Sequence, residues 1–182
     1  MNAHTWKAIR IIGLIFIVGW IIGSAAIYTP PKEEVIASPA VGFYAPDFTL
    51  ADLNGTSFTL SDHFGQPMIL TLWASWCPPC KAEMPTFNQA YESFGPDKVL
   101  VVGVNVAAQD DLNAVRKFVE DNQISFPILL DVNADVSNQY QLQGLPMTFF
   151  INAEGIIEEV FVGGPLPSST VRSFFTESLQ EQ

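Results

Sequence analysis

Met68–Pro85 reads MILTLWASWCPPCKAEMP and holds both cysteines of the chain, Cys77 and Cys80. Its first six residues are an apolar run too short for a helix and suited to a buried strand. After Cys77 the pattern turns helical and continues to about Phe94. The cysteine pair therefore stands where a strand gives way to a helix, with Cys77 near the helix N-terminus. Backbone N–H groups and the helix dipole favour a thiolate there. Pro78 and Pro79 suit the first turn, because the N–H groups they lack would be unpaired anyway.

Two cysteines this close can serve three ends. A structural bridge across so short a loop removes little unfolded-state entropy, and the surrounding domain is apolar enough to fold without it. A structural zinc site takes four ligands, whereas the chain adds only His4 and His63 to the two thiols. No metal is expected. A working redox pair fits best, with Cys77 as the exposed nucleophile. Cys80, one turn inside, is then the resolving thiol that releases the mixed disulfide. No cofactor beyond the two sulfurs is needed.

Outward from the motif, strand and helix signals alternate. Phe48–Leu50 and Ser57–Leu60 flank Asp52-Leu53-Asn54-Gly55, and the Asn-Gly pair signals a hairpin. Val99–Val104 (VLVVGV) and Phe126–Asp131 (FPILLD) read as further buried strands. Between them, Asp110–Asn122 places Leu112, Val115, Phe118 and Val119 on one helical face. Val136 and Tyr140 mark a short helix. Met147–Asn152 and Ile156–Val162 bracket Ala153-Glu154-Gly155 as a second hairpin. Ser168–Leu179 closes the chain as a helix capped by Ser168 or Ser169, with Val171, Phe174, Phe175 and Leu179 inward. The order predicts an α/β domain with a central mixed sheet, mostly parallel with an antiparallel edge, helices on both faces and an N-terminal β-hairpin.

The N-terminal end is of another kind. Residues 11–28 (IIGLIFIVGWIIGSAAIY) carry no charge, and roughly 18 apolar residues approach the length of a membrane-spanning helix. Lys7 and Arg10 precede the run, which predicts a cytoplasmic tip and an exported body. Gly23-Ser24-Ala25-Ala26 offers small residues to a signal peptidase, but the length of the run favours an uncleaved single-pass anchor over residues 1–28. Residues 29–40, rich in proline, form a tether of about 30–40 Å if extended. The folded domain is then 41–182. Without Lys7 and Arg10, 6 basic side chains stand against 19 acidic ones, a formal charge of −13. Such a body does not bind nucleic acid through its net field.

An ordered series of motifs narrows the reading. Trp76-Cys77-Pro78-Pro79-Cys80 with Pro85 beyond it is similar to a thioredoxin active site. Ala45-Pro46-Asp47-Phe48, Leu60-Ser61-Asp62, Glu83-Met84-Pro85 and Gly144–Phe150 (GLPMTFF) accompany it. Together they resemble the membrane-anchored thioredoxin-like family that includes TlpA, ResA and CcmG, from about Val41 to the C-terminus. The resemblance implies a thioredoxin-like fold and protein-disulfide oxidoreductase activity. It implies that Pro146 is cis and packs beside the cysteines, and that Leu145 offers backbone groups to a substrate strand. Trp76, Leu145 and Pro146 are the substrate-contact residues it points to. The family more often has threonine or valine before that proline, so Leu145 is a departure.

Glu83 matches a glutamate close to the redox pair in reductants of this family. Thioredoxins carry a buried aspartate two residues before the strand tryptophan, and Thr71 stands there in this chain. A thiol exchange needs a proton acceptor near Cys80, and Glu83 is the carboxylate left to supply it. The resemblance further implies a monomeric reductant of exported disulfides or apocytochrome c thiols, fed by a multi-spanning membrane thiol carrier. The direction of electron flow rests on the potential of the pair, which varies widely within one fold. An exported oxidant of the DsbA type would carry a helical insertion, for which there is no room before Leu145. A peroxidatic Pro-x-x-x-Thr pattern is replaced by Leu70 and Ala74, and a copper chaperone needs a histidine after His63, where none occurs. A non-catalytic interaction module is the remaining alternative.

Overall fold

The computed structural model describes residues 19–20 and 36–180. The expected anchor lies outside the described residues apart from Gly19 and Trp20, which are helical. A compact unit begins at Ile36. Ala37 bridges Tyr44, and the Ser38 N–H donates to the Tyr44 carbonyl at 3.0 Å, so residues 36–40 join that unit.

Strands β1 (Thr49–Ala51) and β2 (Ser57–Thr59) pair antiparallel as a separate hairpin. Its turn is held by Asp52, whose Oδ1 accepts from the N–H groups of Asn54 and Thr56, both at 2.8 Å. A short 3-10 turn, Leu60–His63, leads to β3 (Met68–Trp73), and helix α1 (Pro78–Phe94) follows. Next come β4 (Leu100–Asn105), α2 (Leu112–Asp121), β5 (Ile128–Leu130), α3 (Asp135–Gln139), β6 (Met147–Ile151), β7 (Ile157–Val162) and α4 (Ser168–Ser178).

The main sheet has the order β5-β4-β3-β6-β7. It is less parallel than expected: β3 pairs parallel with β4 and β4 with β5, while β3–β6 and β6–β7 are antiparallel. The chain crosses back from the β5 edge through α3 and enters β6 running against β3. This reversal places the start of β6 beside the end of β3.

Alternation along β3 divides the core. Ile69 and Trp73 pack with buried residues of α1, α2 and α4 on one face, including Met84, Phe87, Val115, Val171 and Phe175. Met68, Leu70 and Leu72 pack on the other with Leu60, Val136, Tyr140 and Phe149. Gly103 of β4 is required by the first layer. A Cβ there would stand 2.8 Å from Ile128 Cδ1 and 3.1 Å from Trp73 Nε1. Tyr140 ties the second layer to the N-terminal segment, its hydroxyl donating to the Pro46 carbonyl at 2.7 Å. Beside it, Asp47 Oδ2 accepts from the Ser61 hydroxyl at 2.6 Å.

Two local expectations are corrected. Leu112 is 39% exposed. It is the first residue of α2 after its Asp111 cap, and the inward face rests on Val115, with Phe118 and Val119 half-buried. Neither Ser168 nor Ser169 caps α4. Pro167 holds that position and no side chain supplies a cap bond, because the chain arrives from a proline-rich turn that starts the helix one residue earlier.

Candidate active site

Cys77 is the N-cap of α1, in extended conformation, and is bonded to Cys80 with an S–S distance of 2.04 Å. The Cys80 N–H points at the Cys77 sulfur at 3.3 Å. The strand-to-helix junction thus aims an orphan backbone donor at the sulfur expected to act as nucleophile. Exposure departs from expectation. In this disulfide form Cys77 is only 3% exposed, and Cys80 is fully buried.

Access to the pair comes through a shallow groove of about 450 Å³, lined by Trp76, Cys77, Pro78, Pro79, Leu142 and Leu145, with Gln109, Gln143 and Gly144 beside them. Its lining carries no charged side chain. Cys77 borders it and Cys80 does not. In the reduced chain Cys77 is therefore expected to alkylate at least about tenfold faster than Cys80, since reactivity needs both thiolate and access. Mass spectrometry of partially labelled protein reads the ratio, and equal labelling would reverse the assigned roles.

Trp76 is 55% exposed, and its indole N–H donates to the Gln109 carbonyl at 3.0 Å. The loop before Cys77 is held from the same side. Asp110 accepts from the Ser75 N–H at 2.6 Å, from the Ser75 hydroxyl, and from Asn105 Nδ2 at 2.8 Å. Nothing local in the sequence marks Asp110, because its partner Ser75 lies 35 residues away. The Leu145–Pro146 peptide bond is cis, and so is Gly164–Pro165, for which the sequence held no signal.

Glu83 lies three residues beyond Cys80 on α1 and is fully buried. Thr71 Oγ1 lies 3.5 Å from Oε1, and the Thr148 hydroxyl donates to Thr71 at 2.9 Å. Thr71 and Thr148 face each other across the β3–β6 ladder. The place taken by aspartate in thioredoxins is thus a hydroxyl pair serving a carboxyl that comes from the helix instead. On its other side, Glu83 Oε2 accepts from the Leu166 N–H at 3.3 Å. Burial raises the Glu83 pKa to about 7, and hydrogen bonding from Leu166 and from Thr71, backed by Thr148, offsets part of that rise. Thr148 and Leu166 were not legible from sequence.

The structure thus joins Cys77 to Cys80 and sets Trp76, Cys77 and Leu145 along one groove, while buried Glu83 and Pro146 meet beside Gly164, outside the groove's lining. Among the described residues, no group of three or more metal-ligating side chains occurs.

Residues 41–160 match a family model described as the AhpC/TSA family. The thiol-disulfide oxidoreductase ResA of Geobacillus kaustophilus is 39% identical over 124 residues, which are 68% of this chain and 70% of that one. The sporulation thiol-disulfide oxidoreductase A of Bacillus subtilis is 31% identical over 165 residues, covering 90% of this chain and 93% of its own. The crystal structure of StoA from Bacillus subtilis matches with a TM-score of 0.61 at 31% identity, over 71% of this chain and 96% of that one. The family match spans the cysteine pair, Glu83 and the Leu145–Pro146 segment.

Proposed function

The chain belongs to the AhpC/TSA family as a thioredoxin-like thiol-disulfide oxidoreductase, and on that premise we propose that it is a membrane-tethered reductant of exported protein disulfides, such as those of apocytochrome c CxxCH segments. In the reduced form the Cys77 thiolate attacks a substrate disulfide. One substrate sulfur leaves as a thiolate and takes a proton from water. Cys80 then gives its proton to the Glu83 carboxylate, and its sulfur attacks Cys77. The Cys77–Cys80 disulfide closes as the mixed disulfide breaks, and the second substrate sulfur leaves. Two electrons pass from the dithiol to the substrate. A dithiol carrier in the membrane restores the pair, and the apolar run at 11–28 keeps the domain near it.

The observation that carries this reading is Glu83, fully buried on the helix that holds both sulfurs. Cys80 has no exposure to water, so its proton needs an internal acceptor. A carboxyl with a pKa of about 7 is matched to that task. Its charge also bears on direction. A strong oxidant stabilises the reduced form of its pair, whereas an ionised Glu83 opposes a thiolate beside it and so favours the disulfide. The charge-free groove suits an extended, uncharged peptide laid along Leu145 by backbone pairing.

Equilibration of the full chain against glutathione and dithiothreitol buffers tests the direction. A potential below about −220 mV is expected for a reductant of this kind, and the reduced chain should then convert an oxidised CxxCH peptide to its dithiol. A potential near −120 mV, the range of DsbA, would make the protein an oxidant instead.

A further inference from the structure

The turn Gly163–Leu166 (GGPL), joining β7 to α4, touches both Glu83 and Pro146. Its Gly163 N–H donates to the Pro146 carbonyl at 2.7 Å. Its Leu166 N–H donates to Glu83 Oε2 at 3.3 Å. Between these two bonds lies Gly164. A Cβ there would stand 2.6 Å from Glu83 Oε2 and 2.9 Å from Pro146 Cγ, distances at which atoms collide. The carboxylate and the proline ring therefore share the space that Gly164 leaves open. Gly163, Gly164 and Pro165 are exposed, while Glu83 is not, so the turn lies between the Oε2 side of the carboxyl and solvent.

From this arrangement we infer that the Gly163–Leu166 turn is a positioning element for the Glu83 carboxyl, registering it against the Leu145–Pro146 segment. The inference rests on reading Glu83 as the proton acceptor for Cys80. The groups that face the carboxyl are the Thr71 hydroxyl of β3, with Thr148 of β6 behind it, and the turn, which also packs on Pro146. No charged side chain contributes to its pKa shift, which is set by burial against hydrogen bonding, the Leu166 N–H foremost. An N–H aimed at the oxygen favours the ionised form. Losing that bond makes Glu83 hold its proton to higher pH.

Two measurements on the full chain in detergent test this. In the oxidised protein, the Leu166 amide resonance should shift with pH through one inflection near 7, and the inflection should vanish in Glu83→Gln. This measurement needs no alteration of the turn. In single-turnover resolution of a mixed disulfide, Gly164→Ala should move the pH–rate inflection upward by about one unit, slowing the reaction about tenfold below it. The same change in a Glu83→Gln background should have no further effect. A Leu166 amide indifferent to pH, an unshifted or lowered inflection, or equal slowing without Glu83 would each overturn the assignment. If Glu83→Gln resolves at the wild-type rate, the proton-acceptor reading falls, and the Leu166 titration still decides whether the turn holds the carboxyl.

Discussion

Cys77→Ser is expected to abolish disulfide reduction, with a loss of about 10³-fold or more, because a serine hydroxyl does not ionise at neutral pH and forms no mixed disulfide. The substitution replaces one sulfur at the N-cap of α1, a position that serine also fills well, so the fold should persist. Cys80→Ser should behave differently. Cys77 still attacks, but no second thiol is present to release the product, and substrates accumulate as covalent adducts. Non-reducing electrophoresis after incubation with an oxidised CxxCH peptide or insulin distinguishes the two variants. Sustained turnover by Cys80→Ser would show that the dithiol mechanism is wrong.

Glu83→Gln should change both stability and rate, with opposite dependence on pH. A carboxyl whose pKa rises from 4.5 to about 7 on folding binds its proton more tightly in the folded state. Its contribution to stability is complete below pH 4.5 and is lost as pH rises through about 7. The oxidised protein should therefore lose about 3 kcal/mol between these limits. Glutamine does not titrate, so the variant should lack this slope and gain relative to wild type above pH 7. Denaturant melts of the oxidised chain at pH 5 and pH 8 read the difference, and parallel curves would remove the buried, titrating Glu83. For the reaction, loss of the acceptor should slow resolution by about 10²-fold. At the same time the apparent pKa of the thiol pair should fall, because a negative neighbour is gone. Thiolate reactivity and turnover then move in opposite directions, which no general loosening of the fold reproduces.

Much of the fold was legible because its signals are local. The span of β3 agrees residue for residue with Met68–Trp73, since the apolar run is bounded by Pro67 on one side and the cysteine motif on the other. The start of α1 was marked by the strand-to-helix junction and two prolines, and its expected end near Phe94 agrees with the structure, where Gly95 follows at a positive φ. Signals weakened where neighbours decide the outcome. Leu112 has the periodicity of an inward residue but stands in the first turn of α2, where it stays partly open to solvent. Ser168 and Ser169 have the chemistry of caps but follow a proline that already holds the capping position. The parallel tendency of valine-rich strands said nothing about β6, whose direction depends on where the chain returns from the far edge.

The site divides along the same line. By itself the sequence determined the cysteine pair and its seat at a helix start, and it carries the expectation that Cys77 reacts first, because i, i+3 spacing and the strand-to-helix junction are properties of contiguous residues. Only the tertiary structure decided what Glu83 is. As an isolated residue on α1 it would be a solvated carboxylate with an ordinary pKa. It becomes a group with a pKa of about 7 because the fold buries it, while the Thr71 hydroxyl, backed by Thr148 on the paired strand, and the Leu166 N–H from a turn 83 residues away pull that value part of the way back. Desolvation and hydrogen bonding act through space, and the groups that supply them here are scattered along the chain, so no run of adjacent residues could carry their sum.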